Sequence, residues 1–331
     1  MKKNILLIYT GGTIGMIKDK VKNTLVPFNF NKLLESIPEL KTEQVNLEHI
    51  STKTPIDSSN MDTANWTEIT TLIKDTYTDY DGFVVLHGTD TMAYTASALS
   101  FMLENLNKAV IFTGSQIPIL ERRTDAKENL ITSIEIAASG KVNEVCIYFE
   151  NQLYRGNRTL KTNTEQFEAF RSPNFPVLAE IGVNIKYKMP LNKVNGIFKT
   201  HLHISNDVAI LKLFPGINIT TIKAIIDSAR GIVIESFGTG NASNSSEFSH
   251  LLDNANKNGK IIINITQCLF GSALLGNYET SEPFGNSGVI CGKDMTTEAA
   301  ITKLMFLLGA GLTNNEIKTH LEKNLRGEVS D

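Results

Sequence analysis

The chain has 331 residues, 41% hydrophobic and 20% charged, with a mean hydropathy of -0.08, enough apolar material for one large or two ordinary globular domains. A formal net charge of -3 and a pI near 6.1 argue against a nucleic-acid or anionic-membrane partner. Three cysteines, Cys146, Cys268 and Cys291, are too few and scattered for a disulfide framework, and no apolar run approaches the ~18 residues of a membrane span. Cys146 and Cys268 each sit in an apolar run and read as buried free thiols.

The first element is "NILLIY", a fully buried strand that runs into Gly11-Gly12-Thr13. Lys2 and Lys3 precede it, but its apolar run is shorter than the ~7 to 15 residues of a signal-peptide core, so a cytoplasmic protein is expected. "FNKLLESI" before Pro38 reads as a short helix and "EQVNLEHI" as an alternating strand. From Thr63 to Tyr80, Trp66, Ile69, Leu72, Ile73 and Tyr77 recur at helical spacing, with Asp62 as cap. Then follow "GFVVLHG" (strand), "MAYTASALSFMLENL" (helix), "AVIFTG" (strand), "DAKENLITSIEIAAS" (helix, stopped by Gly140) and "EVCIYFE" (strand). From Lys186 the rhythm breaks in "YKMPLNKVNG" and "THLHIS", read as a linker. Alternation resumes with "DVAILKL", "TIKAIIDSA", "GIVIES", "SEFSHLLDNANK" and "KIIINIT", and helices from about Thr296 and Asn314 close the chain. The expected fold is therefore α/β: a larger N-terminal parallel-sheet domain (1–185), a linker (186–206) and a smaller C-terminal α/β domain (207–331).

Ligands of an open parallel sheet bind outside the carboxyl ends of its strands. In the first domain those ends deliver Thr10-Gly11-Gly12-Thr13, Asp57-Ser58-Ser59, His87-Gly88-Thr89-Asp90 and Thr113-Gly114-Ser115-Gln116; the strand ending at Glu150 leads to Arg155, Arg158, Thr159 and Lys161. Taken singly, Thr13 and the Thr89-Asp90 pair are helix caps, Ser58 is a turn residue, Lys161 is a solvated lysine and His87 is packed at a strand end. Their arrival at one sheet edge favours hydroxyl-nucleophile chemistry with an acid–base relay. A dinucleotide loop on Gly12 and Gly15 needs glycine where Thr10 stands, and no phosphate-binding G-x-x-x-x-G-K-[ST] occurs. His201 and His203 lack a third metal ligand nearby.

"YTGGTIGM" and "LHGTDTMAYTASAL" resemble the two signature segments of the L-asparaginase/glutaminase family. The likeness continues through "PIDSSNM", "TGSQIP", "LYRGNRTLKTNT", "TQCLFG" and "CGKDMT", over essentially the whole chain, and looks like the cytoplasmic type I branch. It implies a two-domain α/β fold and hydrolysis of L-asparagine to L-aspartate and ammonia without metal or cofactor. Mixed glutaminase-asparaginase specificity and a non-catalytic amino-acid-binding protein on the same fold are the alternatives. By resemblance Thr13 is the nucleophile, Thr89, Asp90 and Lys161 are the relay, and Ser58, with Asp57 and Ser59 beside it, belongs to the loop that holds the substrate α-carboxylate. Asp90 also meets the α-ammonium, the Ser115 backbone meets the leaving amide, and Gly12-Thr13 and Gly88-Thr89 supply oxyanion N–H groups. A homodimer or homotetramer is implied. Two positions depart from relatives. Leu160 replaces a polar residue of those with a second, regulatory asparagine site. Leu25 stands where many carry a loop tyrosine, with Tyr278 as the candidate substitute.

Overall fold

The computed structural model describes residues 2–18, 25–27, 37–40, 44–188, 194, 196–274 and 282–330. The chain divides into two compact units, Met1–Leu202 and His203–Asp331. The expected helix "FNKLLESI" falls almost wholly outside the described residues, and Tyr278 lies outside them.

The first unit is organised by an eight-stranded sheet: β1 (Lys3–Gly11), β2 (Val45–Ile56), β3 (Gly82–Leu86), β4 (Ala109–Thr113), β5 (Val145–Phe149), β6 (Gln152–Arg155), β7 (Ala179–Ile181) and β8 (Ile185–Tyr187). Across the sheet they run β8-β7-β6-β5-β4-β3-β1-β2. The five strands β2, β1, β3, β4 and β5 are parallel, as the unbroken apolar runs of β1, β3, β4 and β5 imply, while β2 alternates at the edge. The last three are antiparallel, which the alternation of strands and helices did not indicate. The reversal is local chemistry. Glu150 and Asn151 both take positive φ, 42° and 63°, and Phe149 pairs with Gln152 across them, the geometry of a two-residue hairpin turn.

Among the described residues three helices cover this sheet: α1 (Thr63–Thr76), α2 (Met92–Met102) and α3 (Ala126–Ala138). Asp62 caps α1, accepting from Ala64 and Asn65 N–H groups at 2.9 and 3.0 Å, while Asn65 returns the bond to Asp62 N–H. Alternate strand residues Ile5, Leu7, Tyr9, Val84, Leu86 and Ile111 face one side and pack with Leu130, Ile134 and Ala137 of α3. Each such buried Leu, Ile or Val contributes about 1.5–3 kcal/mol relative to exposure. Helix α2 ends four residues earlier than its pattern suggests, because Leu103–Glu104 become extended and pair with Lys199–Thr200.

That pairing also changes the picture of the linker. Lys186 lies inside β8, and the described far end, Ile197 to Leu202, is stitched to the first unit. Phe198 stacks on Tyr77 with ring centroids 3.6 Å apart, and His201 Nε2 lies 2.7 Å from Glu104 Oε2. His201 is thus committed to a carboxylate, and no group of three metal-ligating side chains occurs among the described residues.

The second unit has four parallel strands in chain order, β9 (Val208–Lys212), β10 (Gly231–Ser236), β11 (Ile261–Thr266) and β12 (Ile290–Cys291). Helices α4 (Ile219–Ser228), α5 (Ser246–Lys257), α6 (Thr297–Gly309) and α7 (Asn314–Glu322) surround them, capped by Asn218, Ser245, Thr296 and Thr313. Cys146 is buried as expected, whereas Cys268 is exposed, because the strand carrying its apolar run ends two residues earlier at Thr266. No described helix is long and apolar enough to cross a membrane.

One feature of this unit is invisible to periodicity. Lys303 of α6 and Glu328 of the chain end form a 2.6 Å ion pair with no exposed side-chain surface. Lys303 Nζ also donates to the carbonyls of Leu321 and Lys323, and Glu328 accepts from the N–H groups of Leu325 and Arg326. Lys303→Met strands a buried carboxylate and should lower stability by roughly 3–5 kcal/mol, read as a lower urea midpoint. A midpoint shift worth under about 1 kcal/mol would show that the pair is solvated.

Candidate active site

The parallel strands of the first unit run β2-β1-β3-β4-β5, so successive connections leave β1 in opposite directions. An open α/β sheet has its crevice where the order reverses, here between the carboxyl ends of β1 and β3. Gly11-Gly12-Thr13 leaves one and His87-Gly88-Thr89 the other. The glycines answer to the closeness of the two chains. Gly11 and Gly12 take φ of 121° and 86°. A Cβ on Gly12 would lie 2.5 Å from Gly88 N, and one on Gly88 would lie 2.5 Å from Ser58 Oγ. The three backbone segments from β1, β2 and β3 therefore touch. Thr13 opens a short 3-10 turn, Thr13–Gly15, whose cap position is Gly12, so its hydroxyl does not serve as the cap. It is half-buried at the edge.

Lys161 reaches this edge from beyond β6. The turn Gly156–Arg158 is followed by Thr159, whose hydroxyl donates to Arg155 O at 2.7 Å, and Leu160–Lys161 pair with Phe170–Arg171. Arg155 binds Glu144 through two nitrogens, at 2.6 and 3.3 Å, and Arg155 and Arg158 both lie over the Phe175 ring. Both arginines are buried. The Lys161 amine donates to Thr89 Oγ1 at 2.8 Å and to Asp90 Oδ1 at 2.7 Å, with the lysine side chain 14% exposed. Neither Thr89 nor Asp90 caps α2, since that position is Thr91, whose hydroxyl donates to Ser58 O.

The remaining residues take up several roles. Asp57 accepts from the backbone N–H and the hydroxyl of Ser59, both at 2.9 Å, and these bonds hold its carboxyl below the ordinary range. Ser58 beside it is buried. Ser115 is also buried, its hydroxyl spent on Ile117 O at 2.7 Å. His87 is packed under the edge: Nδ1 lies 2.7 Å from Gly88 O, the ring meets Phe112 edge-on, and burial pushes it down to about 4, so it is neutral at physiological pH. Absent from the sequence reading was the support of the β4 loop. Asp125 accepts from the N–H groups of Gln116 and Ile117 at 2.9 and 3.1 Å, and burial raises its carboxyl. Asn129 braces Asp125 and the Gly114 carbonyl. Gln116 itself reaches Thr89. In the sequence Asp125 stands only as the first residue of the helical run "DAKENLITSIEIAAS", which carries no sign of this support.

Comparison with known proteins follows the same lines. Residues 4–193 match the family domain described as "Asparaginase, N-terminal", and residues 207–321 match "Glutaminase/Asparaginase C-terminal domain". The chain is 41% identical to L-asparaginase 1 of Escherichia coli K12, over 99% of this chain and 98% of that protein. A mouse protein named 60 kDa lysophospholipase is 38% identical over 99% of this chain and 63% of its own length. The crystal structure of L-asparaginase I from Vibrio cholerae superposes with a TM-score of 0.93 at 40% identity, covering 100% of both chains.

Proposed function

Because the chain belongs to the asparaginase family, we propose that it is an L-asparagine amidohydrolase working through a threonine ester. Thr13 attacks the side-chain amide carbon, its hydroxyl proton passes to the departing nitrogen, and the C–N bond breaks to release ammonia. Water then adds to the Thr13 ester, a proton returns to Thr13 Oγ1, and aspartate leaves. N–H groups of Gly12-Thr13 and Gly88-Thr89 are the proposed donors to the oxyanion. Ser58, in the loop with Asp57 and Ser59 beside it, receives the α-carboxylate, Asp90 the α-ammonium, and the Ser115 backbone the leaving amide. The observation that carries this reading is the chain Thr89–Lys161–Asp90, with bonds of 2.8 and 2.7 Å, beside the turn that presents Thr13. It couples a hydroxyl to a lysine and a carboxylate, which is a path for moving a proton. A cytoplasmic homodimer or homotetramer belongs to the same proposal.

The test is ammonia release from asparagine, glutamine and buffer, with fatty-acid release from a lysophospholipid as the rival activity. Asparagine should be the best substrate, and added hydroxylamine should divert the ester to the aspartyl hydroxamate. Tight asparagine binding without ammonia would instead indicate an amino-acid-binding protein. Glutamine differs by one methylene, a difference a pocket resolves by only ~1–3 kcal/mol, so some glutaminase activity is expected.

Asp90 has two proposed duties, and they separate experimentally. Asp90→Asn should cost substrates with a free α-ammonium about 1.5–3 kcal/mol more than analogues lacking it, since a charge-assisted bond is lost only with the former. Equal losses in kcat/KM for both would leave Asp90 in the relay alone.

A further inference from the structure

One contact to Thr89 has no part in the mechanism above. We propose that Gln116 is a positioning residue that sets the direction of the Thr89 hydroxyl proton, a role that rests on the amidohydrolase reading. A hydroxyl has one proton and two lone pairs. An ammonium at Lys161, 2.8 Å from Thr89 Oγ1 and 2.7 Å from Asp90 Oδ1, donates to both. The proton of Thr89 must then point elsewhere, and the acceptor there is Gln116 Oε1 at 3.3 Å. That separation is long for an O–H···O bond, so it orients the hydroxyl yet releases it readily.

Which end of the Gln116 amide meets Thr89 follows from its other contact. Gln116 Nε2 lies 3.1 Å from the Gln166 carbonyl oxygen, which can only accept. The NH2 group must face Gln166, and the carbonyl is thereby turned to Thr89. The base of the side chain is fixed too, because Asp125 holds the N–H groups of Gln116 and Ile117 at 2.9 and 3.1 Å. Held at both ends, Gln116 keeps one lone pair of Thr89 toward Lys161 and leaves the other for a reacting group. When a proton moves along Thr89–Lys161, the hydroxyl swings away from Gln116; afterwards it returns.

Two variants test this. Gln116→Met removes acceptor and donor at similar shape, whereas Gln116→Glu keeps an acceptor and removes the donor to Gln166. The Met variant should lose about tenfold in kcat with KM changed less than about twofold, the scale of one hydrogen bond. The Glu variant should keep kcat within about threefold of the parent, because it keeps the acceptor to Thr89. The charged groups at Thr89 are Lys161 and Asp90, with Asp125 behind the Gln116 backbone. Normal kcat in the Met variant would overturn the role, as would equal kcat losses in both variants with raised KM, which would leave only a tie to Gln166. A parent enzyme that releases no ammonia from asparagine would remove the amidohydrolase reading and this role together. An active parent with an unaffected Met variant removes this role alone.

Discussion

Thr13→Ala is expected to give a folded protein that releases ammonia from asparagine at least about 10³-fold more slowly, with asparagine affinity little changed. The fold has no need of the hydroxyl. The turn it opens is closed by backbone bonds, Gly15 N–H to Gly12 O at 3.2 Å and Met16 N–H to Thr13 O, and the cap position belongs to Gly12. What the substitution removes is the atom that forms the ester. Pre-steady-state ammonia release and hydroxamate formation should vanish together. A Thr13→Ala variant keeping more than a tenth of the normal rate would take the nucleophile's role from this residue. Loss of asparagine binding along with turnover would instead mean that the turn had collapsed.

The placement of Thr13, Gly88 and Thr89 was legible because strand ends in a parallel sheet share one edge, and the strands are unbroken apolar runs. "TGG" was legible as a tight turn or close approach because glycine is spent where a side chain has no room, and Gly12 against Gly88 is such a place. The hairpin at Glu150-Asn151 was not. Neither residue is glycine, so the positive φ at both left no mark in the composition. The docked linker end was hidden for another reason: its partners Leu103–Glu104 and Tyr77 lie roughly a hundred residues away, beyond any local pattern. Asp125, and the bond of Gln116 to Thr89, escaped because their effect passes through backbone N–H groups and a second side chain, which spacing along the chain does not encode. For Lys161 the resemblance supplied the relay with Thr89 and Asp90, and the contacts supplied its two bonds.

Lys161→Met is expected to abolish turnover by at least about 10³-fold while leaving the fold intact, and its companion Lys161→Arg tells what the lysine does. The pair with Asp90 is one-sided in exposure, 14% for the lysine and 60% for the aspartate, so water can take over the carboxylate when the amine is removed. Such half-exposed pairs contribute about 0–1 kcal/mol, and the melting temperature should hardly move. Activity and stability therefore part company here, unlike at Lys303. Arginine keeps the positive charge and the reach to Asp90, but a guanidinium cannot give up its proton in a protein. If Lys161 acts only by holding Asp90 and Thr89 in place, Lys161→Arg should recover most of the rate lost in the Met variant. If protons pass through the amine, the Arg variant should be as inactive as the Met variant, and a small primary amine in solution should restore part of the Met variant's rate. A Met variant with more than a tenth of the normal kcat would remove Lys161 from the chemistry, leaving the bond to Thr89 as packing.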